Sequence, residues 1–412
     1  MSSTGPELES ELAAANKAIE NLIKEVTVNE SRANALSENA WRWVFRYRRI
    51  QRALRRFTGG RGADSNPPTV QGNGASGLAR SEETLNKLIV LAQTQIRHGR
   101  NSAAAAIGDL IAVRFPQNPF PQDLLSLERN ADRTPSQNGN HHLALAQAHY
   151  LLGENEAAIS NFQAALKFNP DLPDAHSGLA AIRLPGVPYL DWLEKLYNYL
   201  KPKNVIEIGV SQSASLARVP APAIAIGVDP VPSVIYPLQT EAHIFAETSD
   251  DFFARRNVGE LLRGEPLSIG FIDGSHLFEQ ALRDFMNLER YCGPNSVIMF
   301  HDTVPLDEVT QRREPVTHFS TGDVWKTILC LKQYRPDLDI FTIATPPTGL
   351  TVVTGLDPQS TILSEIYDEA LAKLIITPFE TVENNFQNEL NLVPNDWSIV
   401  ESRLKARGIT QN

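Results

Sequence analysis

Seven short apolar segments constrain the fold of this chain more than any other feature. They lie between residues 185 and 356 and have the sequences NVIEIGV, AIAIGVD, HIFAE, LSIGFID, SVIMFHD, LDIFTIA and GLTVVTG. Helical stretches separate the first five, and apolar strands that alternate with helices are typical of a doubly wound α/β sheet. We therefore predict an α/β region with a doubly wound sheet of seven strands.

Length and composition exclude several classes of protein. At 412 residues the chain is too long for one ordinary core, so two or three domains are expected. A net charge of −10 argues against a nucleic-acid-binding protein. The two cysteines, Cys292 and Cys330, are too few for a disulfide framework or a cysteine zinc site. The N-terminus is polar and no apolar run reaches the ~20 residues of a membrane span, so we expect a cytoplasmic protein.

The first 57 residues combine a heptad pattern with a basic segment. Apolar residues form the two rows of a coiled-coil seam, Leu8, Ala15 and Leu22 in one and Leu12, Ile19 and Val26 in the other. The pattern predicts a helix that joins copies of the chain, and a solitary amphipathic helix is the alternative. Residues 41–57 are rich in arginine and aromatic residues, which suits peripheral contact with an anionic membrane, a partner helix or plain solvation. Residues 58–80 have the composition of a flexible linker.

Residues 81–184 carry small residues at helical spacing. The segment HHLALAQAHYLLGENEAAISNFQAALKFNP resembles a tetratricopeptide repeat, with matching small, turn, bulky and terminating residues at Ala146, Gly153, Ala158, Phe162, Ala165 and Pro170. A weaker copy precedes it, with Ala92, Gly99, Ala104 and Pro116 at the same offsets, and a partial copy follows. The resemblance implies contact with a protein partner or packing against the next domain, and an ordinary helical bundle is the alternative.

Polar residues follow the predicted strands, and in an open parallel sheet ligands bind at those ends. Glu207 and Gly209 lead into a serine-rich turn and a helix, and the second strand ends at Asp229. Gly209 would let a ligand approach the backbone, and the helix N-terminus would offer free N–H groups. Asp229 is placed to accept both hydroxyls of a ribose. The G-x-G-x-x-G pattern is absent, which disfavours NAD, whereas adenosylmethionine has no phosphate and tolerates this turn.

Residues 185–356 resemble a class I S-adenosylmethionine-dependent methyltransferase, most closely the family-24 methyltransferases related to the catechol O-methyltransferases. The resemblance implies a Rossmann-like sheet and a set of cofactor-binding residues. The motif Glu-x-Gly-x-x-x-Gly-x-Ser maps onto Glu207, Gly209, Ser213 and Ser215, with Ser213 where a glycine is usual. Asp229 matches the ribose-binding acid, and Ser249 and Asp250 fall in the adenine region.

The fourth and fifth strands of that family end in IDG-x-H and HDT. Here the first motif runs from Asp273 to His276, and the second begins with His301 and Asp302. In the catechol-type relatives these strand ends bind Mg²⁺, which implies Asp273, His301 and Asp302 as ligands of Mg²⁺ or Mn²⁺. His276, together with Asp273, falls at the catalytic position, and a histidine that titrates near neutrality can take a proton from a hydroxyl. Residues 321–325 correspond to a substrate-side lid.

We therefore predict an O-methyltransferase that is assisted by a divalent metal and acts on a small molecule, a glycan or another polyhydroxylated acceptor. The glycan is suggested only by the combination of modules. The methyltransferase domain would span residues 185–356, and residues 357–412 would form a helical extension. Two alternatives remain: a repeat scaffold with a degenerate methyltransferase domain, which Ser213 favours, and a metal-dependent hydroxylase related to the cephalosporin hydroxylase group.

Overall fold

A computed structural model describes residues 74–117, 135–383 and 385–409 of the chain. The predicted coiled-coil-like and basic helices of residues 1–57 lie outside the described residues. The first described helix begins at Gly74, inside the predicted linker of residues 58–80, because Leu78 and Ala79 favour helix and extend the element that follows. Within the described ranges, no helix has the length and apolar character needed to span a membrane.

Five helices form the repeat region within the described residues 74–117 and 135–184. They are α1 Gly74–Arg97, α2 Asn101–Arg114, α3 Pro135–Leu152, α4 Asn155–Phe168 and α5 Pro173–Arg183. The alanines at the predicted small positions are completely buried, so the helices can approach closely. Gly153 ends α3 with a φ of +75°, which residues with a Cβ rarely adopt. At Gly178 of α5 a Cβ would lie 2.1 Å from the Phe162 ring, so glycine is needed for this ring to pack between helices.

Eight strands form one sheet, in the order β3-β2-β1-β4-β5-β7-β6-β8. The strands are β1 Asn204–Ile208, β2 Ile224–Val228, β3 Glu241–Phe245, β4 Leu267–Ile272, β5 Cys292–His301, β6 Asp339–Ile343, β7 Leu350–Thr354 and β8 Leu392–Val393. The first five are parallel, and β7 runs antiparallel to both β5 and β6. The doubly wound α/β sheet predicted from the sequence is therefore confirmed.

The number of strands differs from the prediction by one. The eighth strand, β8, pairs in parallel with β6, with Thr342 opposite Leu392. It lies in the segment that was predicted to be helical throughout, and two residues are too few to produce the alternation that marks a strand. The rest of that segment forms short helices, α11 Ile362–Glu365, α12 Tyr367–Leu374, α13 Glu380–Glu383, α14 Phe386–Glu389 and α15 Trp397–Ala406.

The remaining helices flank the sheet. They are α6 Tyr189–Leu200, α7 Ser249–Arg255, α8 Val258–Leu261, α9 Phe278–Glu289 and α10 Trp325–Tyr334. The helix predicted after β1 is reduced to a 3₁₀ turn, Leu216–Arg218, because Pro220 and Pro222 follow at once and cannot continue a helix. The helix N-terminus that the sequence predicted after β1 is therefore absent from this turn.

The apolar interior of the sheet restricts where charges can lie. Strands β1, β2 and β7 are buried along their whole length, as expected for strands covered on both faces. Glu207 is the charged exception within β1, and it is completely buried. The ionisable side chains of the site stand instead at the carboxyl ends of β4 and β5, which finish next to each other.

Candidate active site

The carboxyl ends of β4 and β5 bring two aspartates and two histidines together. The two strands are parallel neighbours, with Ile272 opposite Phe300, and each continues directly into polar residues. His301 is the last residue of β5, and its Nδ1 lies 3.0 Å from Asp273 Oδ1. The two strand ends that the sequence singled out therefore meet in one cluster.

Asp302 is the centre of this cluster. Its Oδ2 lies 3.0 Å from His276 Nε2 and 3.3 Å from His301 Nδ1. Its Oδ1 accepts a hydrogen bond of 2.7 Å from the Thr348 hydroxyl. The φ of Asp302 is +57°, a left-handed conformation that aspartate adopts more readily than most residues. The chain therefore turns sharply after β5 and places the carboxylate between the two imidazoles.

The ionisable groups of the cluster shift one another's pKa. Burial raises the pKa of Asp302, but the charges of His301 and His276 outweigh burial and hold it well below its usual range. Burial lowers the pKa of His276, and Asp302 and Asp273 reverse that effect and raise it to about 9. The same two aspartates overcome the burial of His301 and raise its pKa to about 10. The neighbouring carboxylates therefore favour the protonated form of His276, whereas the sequence predicted titration near neutrality.

His301 is held at both of its ring nitrogens. Its Nδ1 faces the aspartates, while its Nε2 lies 3.3 Å from the Thr348 hydroxyl oxygen. The Tyr189 ring stacks on the imidazole with a centroid distance of 3.9 Å. Neither Tyr189 nor Thr348 was predicted from the sequence, because the first precedes β1 and the second lies in the turn between β6 and β7. These contacts fix His301 as a support for the two carboxylates.

A different histidine completes the group of side chains that could hold a metal. One ligand atom from each of Asp273, His276 and Asp302 lies within 4.8 Å of the others. The sequence predicted the same aspartates with His301 as the third ligand. Two carboxylates and an imidazole are a ligand set that Mn²⁺ or Fe²⁺ accepts in full, and Mg²⁺ accepts its oxygens.

The turn after β1 lies directly against this cluster. Gly209 has a φ of +87°, and a Cβ there would lie 2.1 Å from the carbonyl oxygen of Asp273. The close approach of the protein's own backbone therefore requires glycine at this position. The sequence argument had assigned that space to a ligand.

Glu207 has an unpaired oxygen next to this turn. Its Oε1 accepts a hydrogen bond of 2.6 Å from the Ser215 hydroxyl, whereas its Oε2 is buried without a hydrogen-bond partner. Burial raises the pKa of this carboxyl well above its usual range, and the charge of Asp273 adds to the shift. An ammonium group of a ligand would stabilise the charged form of such a carboxyl.

Ser213 adopts a conformation that favours glycine. Its φ is +65°, which explains why the family that this region resembles has glycine at the corresponding position. The side chain is completely buried, and its hydroxyl donates a hydrogen bond of 3.1 Å to the carbonyl oxygen of Tyr236. Ser213 is thus bonded to the protein's own backbone.

Asp229 ties the turns after β1 and β2 together. Its Oδ2 accepts hydrogen bonds from the backbone N–H groups of Val210 and Ser211, at 3.0 and 2.8 Å. Its Oδ1 accepts another from Val231 N, at 2.7 Å. The predicted ribose-binding acid therefore also organises the turn in which a nucleoside would lie.

Ser249 and Asp250 lie at the start of α7, next to α9. Gln280 Nε2 donates to Ser249 Oγ at 3.1 Å and to Asp250 Oδ1 at 3.3 Å. Arg283 pairs with the exposed Asp250 carboxylate at 3.2 Å. Beside them, burial raises the pKa of Asp284 to about 6. The predicted adenine region is therefore a polar edge built by two helices.

A buried clamp holds the turn that carries His276. The Asp323 carboxylate is completely buried and accepts a hydrogen bond of 2.6 Å from Arg313. The Asp323 N–H donates to the His276 carbonyl oxygen at 3.1 Å, and a Cβ on Gly322 would lie 1.8 Å from that oxygen. The sequence placed residues 321–325 in a lid but could not reveal the pairing with Arg313, which depends on tertiary structure.

Two segments of the chain match known family models. Residues 225–303, from β2 to the HDT motif, match a model described as a methyltransferase domain, and residues 146–184 match a model of the TPR repeat. Both resemblances inferred from the sequence are thereby confirmed in these segments. No curated protein matches the chain at a significant level.

Several solved methyltransferase structures are similar to part of the chain. The O-methyltransferase TomG from Streptomyces achromogenes, solved with SAM, is 15% identical over 43% of this chain and 88% of its own, with a TM-score of 0.32. An O-methyltransferase from Bacillus cereus, solved with SAH, is 15% identical over 43% and 86%, with a TM-score of 0.31. An SAH-bound methyltransferase from Podospora anserina is 11% identical over 48% and 88%, with a TM-score of 0.32.

Proposed function

We propose that the α/β region transfers a methyl group from S-adenosylmethionine to a hydroxyl oxygen of an acceptor. One observation carries the proposal: the Gly209 backbone, in the turn after β1, lies against the strand end that bears Asp273. The residues that would bind the methyl donor are therefore adjacent to the residues that would handle the acceptor proton. Such adjacency is what transfer between two bound molecules requires.

The first three strand ends would bind the donor. The unpaired Oε2 of Glu207 suits the ammonium group of the methionine part, and Ser215 orients this carboxyl through its hydrogen bond. Asp229 suits the ribose hydroxyls, since carboxylate oxygens accept more than one hydrogen bond each. Ser249 and Asp250 provide polar groups for the adenine edge. When bound, S-adenosylmethionine supplies an electrophilic methyl group on a positively charged sulfur.

In its neutral form, His276 would accept the proton of the acceptor hydroxyl at Nε2. This nitrogen lies 3.0 Å from Asp302 Oδ2, so Asp302 would stabilise the imidazolium that proton transfer produces. General base catalysis of this kind contributes roughly 10²–10⁴-fold to a rate. The clamp formed by Asp323 and Arg313 would keep the His276 turn in place while the acceptor binds.

The Asp273 and Asp302 carboxylates would hold a divalent ion, and we propose Mg²⁺ or Mn²⁺, with the adjacent His276 imidazole left free to act as the base. A bound divalent ion supplies a positive charge that lowers the pKa of a coordinated hydroxyl. Such an ion and the His276 imidazolium would compete for the same carboxylate oxygens, so a metal would favour neutral His276.

A polyhydroxylated acceptor, such as a glycan, suits this pair of carboxylates, because neighbouring hydroxyls could bind to both. The TPR match over residues 146–184 supports contact with a protein partner. The heptad pattern within residues 7–35 supports a homo-oligomer, and the basic segment of residues 41–57 supports peripheral contact with an anionic membrane from the cytoplasm.

Isothermal titration of S-adenosylmethionine and S-adenosylhomocysteine into the full chain tests the proposal. We expect micromolar binding, and Asp229→Ala should weaken it by at least about tenfold, because hydrogen bonds to a charged group are lost. The matched control is Asp368→Ala, an exposed acid on α12, which should bind as the wild type does.

Absence of binding at millimolar ligand would overturn the proposal. The metal is tested by measuring acceptor turnover with EDTA, Mg²⁺ and Mn²⁺. A metal-assisted site should lose this turnover in EDTA. If turnover instead requires Fe²⁺ and dioxygen, the protein is a hydroxylase and the methyl-transfer proposal fails.

A further inference from the structure

A bridging segment, residues 303–324 between β5 and α10, connects the repeat helices to the candidate active site. It begins immediately after Asp302 and ends just before Trp325, the first residue of α10. Nothing in the sequence patterns of the repeats or of the sheet relates these two parts of the chain. In the structure, one end of the segment packs against the repeats and the other packs against the His276 turn.

Two apolar side chains attach the bridging segment to the repeats. Leu306 is 2% exposed and is part of the apolar core formed by α3, α4 and α5, in contact with the cluster that contains Phe162 and Leu179. Phe319 stacks on the His176 ring of α5 with a centroid distance of 4.7 Å and an interplanar angle of 3°. The hydrophobic core of the repeats is therefore completed by a residue that follows the active-site strand.

Polar contacts fix the same interface. His176 is 1% exposed, and its Nε2 lies 2.8 Å from the Pro170 carbonyl oxygen and 3.4 Å from the Thr317 hydroxyl. The backbone N–H of His318 donates to Asp171 Oδ1 at 2.6 Å. These bonds determine both the position and the orientation of the segment on α5.

The bridging segment is closed on itself, so its two ends cannot move independently. The Thr310 hydroxyl oxygen accepts hydrogen bonds from the backbone N–H groups of Leu306 and Asp307, both at 3.1 Å. The Thr310 carbonyl oxygen accepts another from Thr321 N at 2.8 Å. Thr310 therefore links Leu306 to Thr321, which directly precedes the clamp on His276.

The clamp itself spans the segment and α9. Asp323 Oδ1 accepts a hydrogen bond of 2.8 Å from Phe278 N, the first residue of α9, and Arg313 pairs with both Asp323 and Glu279. The His276 carbonyl oxygen is bonded to Asp323 N on the same surface. The position of His276 therefore depends on where the bridging segment lies.

We propose that the repeat helices position His276 through the bridging segment, with His176 and Phe319 as positioning residues. In this arrangement the surface of α5 that faces the segment is part of the enzyme and is not open to a protein partner. The proposal rests on the proposed function only for the catalytic role of His276. The mechanical coupling between α5 and the His276 turn can be tested without any assay of methyl transfer.

Hydrogen–deuterium exchange on the full chain is the decisive experiment. Phe319→Ala should speed exchange in peptides covering residues 276–278 and 321–323 by at least about tenfold, because their amide hydrogen bonds open when the segment loosens. Peptides of β1 and β2 should exchange at the wild-type rate. Phe319→Tyr keeps the stack on His176 and should restore wild-type exchange.

The repeats provide a matched control. Phe168 stacks on His142 with an interplanar angle of 8°, the same chemistry in the same helical region but between two residues outside the bridging segment. Phe168→Ala should leave exchange at residues 276–278 unchanged. If Phe319→Ala speeds exchange only within the repeats and residues 317–320, the coupling does not exist and the proposal is overturned.

The turnover of an accepted substrate provides an independent measurement. Phe319→Ala should lower kcat by about tenfold or more, since small misplacements of a catalytic group are costly, while the Kd of S-adenosylhomocysteine stays at the wild-type value. Failure of the wild type to bind S-adenosylhomocysteine would sink the proposed function but would leave the exchange result intact. The two failures are therefore distinguishable.

Discussion

Single residues of the cluster show how neighbouring charges set the state of a candidate base. Asp302 and Asp273 overcome the burial of His276 and raise its pKa to about 9. Removing the nearer carboxylate charge should reverse the balance. We therefore predict that Asp302→Asn lowers the pKa of His276 towards or below the ordinary histidine value of about 6.5. Titration of the ¹⁵N-labelled histidine side chains by NMR, with His276→Gln to assign the signal, measures this directly.

His243 is the control for that titration. It lies exposed on β3 and pairs with Glu241 at 3.2 Å, so Asp302→Asn should not affect it.

The direction in which the rate changes with pH follows from the pKa of His276. Below about 9, the neutral fraction of His276 rises about tenfold with each pH unit, so a metal-free wild-type rate should rise with pH over that range. A His276 signal that titrates near 6.5 in the wild type would contradict this account.

The residues of the cluster could be predicted from the sequence, but the contacts between them could not. Asp273, His276, His301 and Asp302 were identified because they interrupt apolar strands at the edge where ligands bind. Their pairing was not, because which imidazole faces which carboxylate depends on the sharp turn at Asp302 and on Thr348. Propensity and spacing contain no information about such contacts.

Among the secondary-structure elements, the turn after β1 is the one whose substitution should change stability most clearly. Gly209→Ala places a Cβ 2.1 Å from the Asp273 carbonyl oxygen at a positive φ, so it combines a backbone clash with conformational strain. We expect the free energy of unfolding to fall by about 3 kcal/mol or more, measured by urea denaturation. The loss should be accompanied by weaker S-adenosylhomocysteine binding, because the two strand ends must separate.

Gly264→Ala separates the conformational strain from the backbone clash. Gly264 lies in the exposed turn before β4 with a φ of +74°, and no atom lies within 4 Å of its Cβ position. The substitution introduces the strain without the clash and should cost about 1 kcal/mol. Equal losses for the two variants would mean that the Gly209 backbone does not press on Asp273.

The elements themselves differ in how far the sequence determines them. The seven longer strands were predictable because each contains a short apolar run bounded by turn residues. The short β8 was not, since its two residues are strand only because Asn391 and Val393 accept hydrogen bonds from β6 and the residue that follows it. The helix expected after β1 failed for a reason present in the sequence, the prolines at 220 and 222.

In the whole molecule, the structure brings into contact two regions that the sequence patterns present as separate. Residues 81–184 and 185–356 were predicted as successive domains, and that division remains a proposal. Leu306 nevertheless belongs to the apolar core of the repeats, although it follows the fifth strand of the sheet. Contacts between segments so far apart in the chain leave no periodic pattern, so only the folded structure reveals them.

His176 makes the stability of this junction depend on pH. Burial lowers the pKa of His176, and the Pro170 carbonyl and the charges of Asp307 and Asp171 only partly oppose it. Since the folded pKa lies below the unfolded value of about 6.5, the folded protein binds fewer protons there. The stability that neutral His176 provides is therefore complete above about 6.5 and is lost as the pH falls below it.

We predict that His176→Phe, which keeps a ring stacked on Phe319 but cannot be protonated, reduces this acid sensitivity. The Tm of the wild type should fall more between pH 7 and pH 5 than the Tm of the variant, as scanning calorimetry at several pH values would measure. The exposed His98 is the matched control, and His98→Phe should retain the wild-type slope. Parallel curves of Tm against pH for the wild type and His176→Phe would show that protonation of other groups causes the acid sensitivity. The junction between α5 and the bridging segment would then not limit stability.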